Sequence, residues 1–483
     1  MINPLIKNSF ILACVEVIVR AKSLIVLSLM TFYLGPEKFG TWSQVVAISA
    51  FFSPFVIMGT DAAIFRYLPG SDRASQLDYF RTWLTSSLVA CFFVALFLSL
   101  FSTQVSIYVL GDVDNCKYIL LASLILVSNT LLNSVRIWFR VLNDIKFYSY
   151  FISLSALASL LISFLLITFK FNLYQIILYI SLFDIFVSVV GLSWIYRHQV
   201  FFILPNTQIL TKLLNYGAPL FISSFAMWGL NYVDRFLLPS YVSIREVGVY
   251  TLAYQLGSMA TQALTTPVWT QFQGVVTSNF NGDDASQYKR TFDFLITLLL
   301  ATSVPLVVGL LVVGKDILLM FAPSEFLRGV YVLPLISLGY LFHMLASCYE
   351  VVIGLYHRQK ILTYTSFLIL LLNIFSNLIL MPLFGIVGAA LATLLSFFVQ
   401  FVFAFFLARK YRPGNLRLML ITKILVASLL MGCGLVLLKS HVPTSFLGTV
   451  LQILFGIVMY FIMILSFKVF PIFSFESVGM KIK

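Results

Sequence analysis

The chain has 483 residues, of which 60% are hydrophobic and 10% charged, and it carries a net charge of +13. A soluble chain would carry roughly a quarter charged residues, so the composition excludes a water-soluble enzyme and a soluble nucleic-acid-binding module and requires an integral membrane protein. The basic excess suits anionic lipid headgroups.

A spanning helix needs about 20 mostly apolar residues. Fourteen such runs follow one another, at 10–34, 41–67, 82–104, 117–140, 147–169, 173–196, 213–238, 247–275, 291–313, 329–355, 361–382, 385–407, 417–438 and 446–470. The first is too long for a cleavable signal peptide and carries Glu16, Arg20 and Lys22, so it reads as a retained transmembrane helix. The third trails into SIYVLGDVDN. With the N-terminus in the cytoplasm, the inner segments hold 21 Lys and Arg residues and the outer loops 7. This bias places both termini inside. The longest polar loops, 197–212 and 277–290, are too short for an extramembrane catalytic domain.

Chemistry-bearing motifs are absent from the sequence. The five cysteines (Cys14, Cys91, Cys116, Cys348, Cys433) form no CxxC, which gives neither a disulfide framework nor a metal site. No HExxH, GxSxG or phosphate-loop signature occurs. The expectation is a non-enzymatic protein without cofactor or metal, acting among its helices.

An internal repeat organises the chain. YLGPEKFG (33–40) aligns without a gap on YVSIREVG (241–248), pairing Tyr33 with Tyr241 and Gly40 with Gly248. Further on, Asn129, Asn133, Arg136, Arg140, Asn143, Lys146 and Tyr150 match His343, Ser347, Glu350, Gly354, His357, Lys360 and Tyr364 at one constant offset. The expected fold is an all-α polytopic membrane protein. About fourteen transmembrane helices form two parallel six-helix lobes around a central cavity, with two helices added at the C-terminus. The lobes are 1–212 and 213–410, and 411–483 holds the added helices and a cytoplasmic tail. Parallel repeats of this kind suggest lobes that expose a site alternately to each side.

Charged groups inside a membrane are costly and normally face a cavity, a partner or a helix end. Asn129, Asn133, Arg136 and Arg140 fall on one narrow helical face, as do His343, Ser347 and Glu350. For Arg140 the competing reading is that it snorkels to headgroups. Glu16 and Arg20 stand one turn apart, spaced as an ion pair, with Lys22 on another face. Asn231 and Arg235 share a face, and Asp234 adjoins Arg235. A structural ion pair and a site stay open as readings there. Arg20, Lys22, Arg66, Asn129, Asn133, Arg136, Arg140, Asn231, Arg235, His343 and Ser347 are the candidate cavity residues. Glu16, Asp61, Asp184, Asp234 and Glu350 are the candidate ion-coupling carboxylates. The basic predominance points to an anionic substrate, since the guanidinium fork suits phosphate and carboxylate.

Three segments carry a family resemblance: YLGPEKFG (33–40), DRFLLPSYVSIREVGVYTLAYQL (234–256) and NLILMPLFGIVGAALATLLSF (377–397). In the third, Pro382 ends one helix, Gly385 and Gly388 allow a tight turn, and Ala389, Ala390 and Ala392 suit close helix packing. These segments resemble the polysaccharide transporter family, the Wzx-type O-antigen and capsule flippases. That family shares a superfamily with drug/toxin extruders and lipid II flippases. The resemblance implies a flippase of the bacterial cytoplasmic (inner) membrane. It would move undecaprenyl-pyrophosphate-linked oligosaccharide to the periplasmic leaflet, with membrane lipids, a polysaccharide polymerase and a chain-length regulator as partners. It carries over no site residue beyond a cationic cavity. The rivals are a multidrug cation antiporter of the same superfamily and a membrane polysaccharide polymerase or ligase. The first calls for an acidic, aromatic cavity and the second for a large external loop.

Overall fold

The computed structural model describes residues 4–196, 205–280, 285–356, 358–411, 418–443 and 445–469. The helices are α1 (Pro4–Ile57), α2 (Thr60–Tyr67), α3 (Arg73–Leu100), α4 (Ser102–Leu110), α5 (Cys116–Val141), α6 (Ile145–Thr168) and α7 (Leu173–Ile195). They continue with α8 (Thr207–Leu237), α9 (Ile244–Phe280), α10 (Ala285–Phe321), α11 (Val332–Leu355), α12 (Gln359–Arg409), α13 (Leu418–Lys439) and α14 (Phe446–Ser466). Among the described residues, each of the fourteen apolar runs is largely helical. This is the form that satisfies every backbone polar group without water. Among the described residues, nine helices are long and apolar enough to cross a membrane.

Two of the apolar boundaries lie inside continuous helices. α1 bends at Gly35, whose φ of 69° interrupts the helix just ahead of Pro36. α12 bends at Gly385, with φ 55° and ψ −129°. Asn373 donates to the Ser396 hydroxyl at 3.1 Å, a contact that a straight helix could not make over 23 residues, so the two arms of α12 lie side by side. The turn is tight enough that a Cβ on Gly388 would run into the Leu380 carbonyl oxygen. The third apolar run is resolved differently from its expected span. Its helix starts earlier, at Arg73, because the Asp72 side chain caps it through the Ser75 amide. Its tail forms α4, which ends at Gly111 in the left-handed region.

The chain forms two compact units, Met1–Gly248 and Val249–Lys483. In the first, α1 packs on α5, α6, α7 and α8, and α5 packs on α3 and α7. α8, assigned by its sequence to the second lobe, lies in this unit against α1, α2 and α3. Phe80, Trp83 and Trp138 are fully buried at its centre, with the Phe80 and Trp138 rings 4.8 Å apart. In the second unit α11 packs on α12, and α10 on α11, α13 and α14. Ala389, Ala390 and Ala392 are buried there. Tyr349 is buried between Phe292 and Phe405.

The two glycines that the sequence alignment pairs meet inside the first unit. A Cβ on Gly40 would strike the Ile244 carbonyl and stand 3.1 Å from the Gly248 nitrogen. A Cβ on Gly248 would strike the Pro36 carbonyl and stand 2.9 Å from the Gly40 nitrogen. The two aligned glycines thus meet each other reciprocally, each closing on the other segment's backbone. At the second repeat match, His357 lies outside the described residues, as does the tail from 470 onward.

Candidate functional site

The first unit holds a charge cluster inside its membrane-spanning helices. α1, α5 and α7 are mutual neighbours, and they bring Lys22, Arg136 and Asp184 within electrostatic range of one another. Helical spacing turns Lys22 away from the Glu16–Arg20 pair. That pair forms as its spacing requires, with Arg20 Nε 2.9 Å from Glu16 Oε1. Asp184, isolated in its own helix sequence, faces the two cations from α7. The cluster carries two positive charges and one negative. Arg136 Nε is buried without a hydrogen-bond partner. On the same face of α5, Asn133 is half-buried and Asn129 exposed.

Arg66 and Arg140 lie elsewhere. Both are exposed at helix ends. The Arg66 guanidinium stands over the rings of Tyr67 and Tyr216, and that of Arg140 over Phe65. The Asp61 carboxylate accepts from the adjacent Ala62 amide at the start of α2.

α8 places Asp234 and Arg235 in the interior, 1% and 5% exposed. The Arg235 amide donates to Asp234 Oδ1 at 2.7 Å. Its guanidinium donates to the Asn231 carbonyl and stands 4.9 Å over the Tyr232 ring. Gln44 of α1 donates to the Arg235 carbonyl at 2.7 Å, so α1 holds this turn in place. The Asn231 amide donates to the Met227 carbonyl of its own helix.

In the second unit, His343 and Glu350 are joined through a residue that the sequence reading missed. Gln400 on α12 donates through Nε2 to Glu350 Oε1 at 2.9 Å. Its Oε1 lies 3.0 Å from His343 Nδ1. Since the amide oxygen can only accept, His343 Nδ1 carries the proton. Ser347, between them in sequence, turns its hydroxyl to the His343 carbonyl of its own helix. Gln400 lies on the second arm of α12, and only the bend at Gly385 brings it here. A lone glutamine in an apolar run was the one available signal.

Residues 5–272, more than half the chain, match the family model described as "Polysaccharide biosynthesis protein". Two curated relatives come from Haloferax volcanii. The "Probable flippase AglR" is 27% identical over 43% of this chain and 44% of its own length. The "Probable low-salt glycan biosynthesis flippase Agl15" is 24% identical over 53% of this chain and 54% of its own. The chain thus spans about half the length of the curated relatives it matches. Among solved structures, the lipid II flippase MurJ in an inward closed conformation is 16% identical with a TM-score of 0.78, covering 94% of this chain and 98% of that one. An inward-facing multidrug resistance MATE transporter is 14% identical with a TM-score of 0.63, covering 81% and 94%. The match over more than half its length makes this chain a member of the polysaccharide biosynthesis protein family, a polytopic membrane protein whose fold is that of the MurJ and MATE structures.

Proposed function

We propose that the protein is a flippase that moves an undecaprenyl-pyrophosphate-linked oligosaccharide from the cytoplasmic to the periplasmic leaflet of a bacterial membrane by alternating access, with both termini cytoplasmic. The observation that carries this reading is the positive excess inside the first unit. Lys22 and Arg136 face one carboxylate within spanning helices, and Arg136 keeps a buried donor unused. An unbalanced cation is expensive in a membrane interior, and an anionic headgroup that reaches it offsets that cost. The relatives' names and the fold shared with a lipid II flippase support the same direction. Lys22, Arg136 and Arg235 are the residues assigned to the pyrophosphate, and Asn129 and Asn133 to the sugars. Asp184 and Glu350 are the carboxylates best placed for a coupling ion, because each already interacts with groups on a second helix. A multidrug cation antiporter has the same fold, but the cationic balance of this cluster opposes a cationic cargo.

The test is the sidedness of lipid-linked oligosaccharide in cells lacking the protein, probed with an impermeant lectin on spheroplasts. Complete units should accumulate on the cytoplasmic face. The wild-type gene should relieve this, and an Arg136→Ala variant that inserts normally should not. Units that reach the outer face unaided would refute the reading, and altered drug susceptibility alone would favour the antiporter.

A further inference from the structure

The first unit carries a second cationic site, distinct from the Lys22–Arg136–Asp184 cluster, where α2, α3 and α8 meet at their ends. Lys212 stands 4.4 Å over the Tyr67 ring and 5.4 Å over Tyr79, and donates to the Tyr79 hydroxyl at 2.8 Å. Arg66 stands 4.9 Å over Tyr216 and 5.7 Å over Tyr67. The rings bind one another: Tyr67 stacks on Tyr79 at 6.2 Å and meets Tyr216 edge-on at 5.8 Å. Three half-buried tyrosines thus hold two exposed cations over a shared ring. Among the described residues neither cation has a carboxylate at ion-pair distance. The acids of the same end are engaged, Asp72 in capping α3 and Asp78 at 3.8 Å from Arg81. Arg73, over Trp138, adds a further cation nearby in sequence.

Two like charges fixed side by side repel unless an anion lies between them, and ring faces attract each cation while leaving its outward side open. An ammonium and a planar guanidinium together suit a phosphate. The Lys and Arg bias puts this end of the helices at the cytoplasmic surface, where anionic lipids concentrate. Tyrosine at that depth has its ring in the headgroup layer. We propose that Arg66 and Lys212, held by Tyr67, Tyr79 and Tyr216, bind the phosphate headgroup of an anionic phospholipid of the cytoplasmic leaflet.

The test is native mass spectrometry of the full chain titrated with an equimolar mixture of phosphatidylglycerol and phosphatidylcholine. Phosphatidylglycerol should be retained in preference. Arg66→Gln and Lys212→Ala should each weaken its retention on the order of fivefold, and Tyr67→Leu should weaken it with no change in charge. Lys410→Ala, which removes an exposed cation outside the cage, should leave retention unchanged. Each variant is compared after confirming wild-type elution and melting temperature. If Arg66→Gln does not fold, Lys212→Ala and Tyr67→Leu carry the test. Equal loss with Lys410→Ala would reduce the effect to diffuse charge and overturn the site. Displacement of phosphatidylglycerol by soluble pyrophosphate at fixed ionic strength would assign the cage to a transported headgroup and overturn the phospholipid assignment. Because retention is measured without transport, the result stands apart from the flippase reading.

Discussion

Lys439, at the end of α13, reaches back to α10 and makes two contacts there. Its Nζ lies 2.8 Å from Asp316 Oδ2 and donates to the Val312 carbonyl at 2.9 Å. The pair is unequally buried: the Asp316 side chain is 1% exposed and that of Lys439 30%. This asymmetry makes the two deletions differ. Lys439→Ala leaves a buried carboxylate with no counter-ion, the case that costs about 3–5 kcal/mol. Asp316→Asn keeps the shape and leaves a lysine that can swing to water, so the loss is that of an ion contact with one partly exposed partner and should be smaller than for Lys439→Ala. The double variant removes the stranded charge and should be more stable than Lys439→Ala alone, giving a coupling energy in the cycle. Thermal unfolding of the purified protein in detergent, read by size-exclusion elution after heating, ranks the three variants. Equal melting losses for the two single variants, or a double variant no better than Lys439→Ala, would refute the argument.

The bend in α12 predicts that Gly385→Ala costs about 1–3 kcal/mol, since φ 55° with ψ −129° is open to glycine alone; the melting temperature would fall, and an unchanged value would contradict the bend. Gly248→Ala should cost about 1–3 kcal/mol from the forced contact with the Pro36 carbonyl. The paired Gly40→Ala, Gly248→Ala variant should deviate from additivity, because the two sites share one contact; a cycle that closes to zero in the same melting assay would deny the contact. Arg136→Ala, inserting normally, should abolish the sidedness rescue.

The spanning runs were legible because lipid imposes one requirement on every segment, a long apolar helix, and length and hydropathy report it directly. The turn at Gly385 was readable from Pro382, Gly385 and Gly388, whereas the break at Gly35 showed only as the gap between the first two apolar runs. Charge neighbours across helices were not. Asp184 stands alone in its own sequence window, and only the packing of α1, α5 and α7 sets it against Lys22 and Arg136. Gln400 was missed for the same reason. Helical periodicity could place Arg66 and Arg140 on a face, but it could not say how far along the bundle that face ends. Their aromatic partners Tyr67, Tyr216 and Phe65 come from the short α2 and from α8, whose packing leaves no periodic signature. The matched segments were legible as letters, and the contact between their glycines emerged only in the packing.

That contact bears on how far the two matched segments can differ. Gly40 and Gly248 stand 208 positions apart in the chain, yet sterically they form one locus. A bulkier residue at either runs into the other segment's backbone, at Gly40 the Ile244 carbonyl and at Gly248 the Pro36 carbonyl. Neighbouring positions differ: Glu37 and Lys38 in the first segment correspond to Arg245 and Glu246 in the second, with both signs inverted. The two matched segments thus share glycine where backbone meets backbone and reverse their charges just before it.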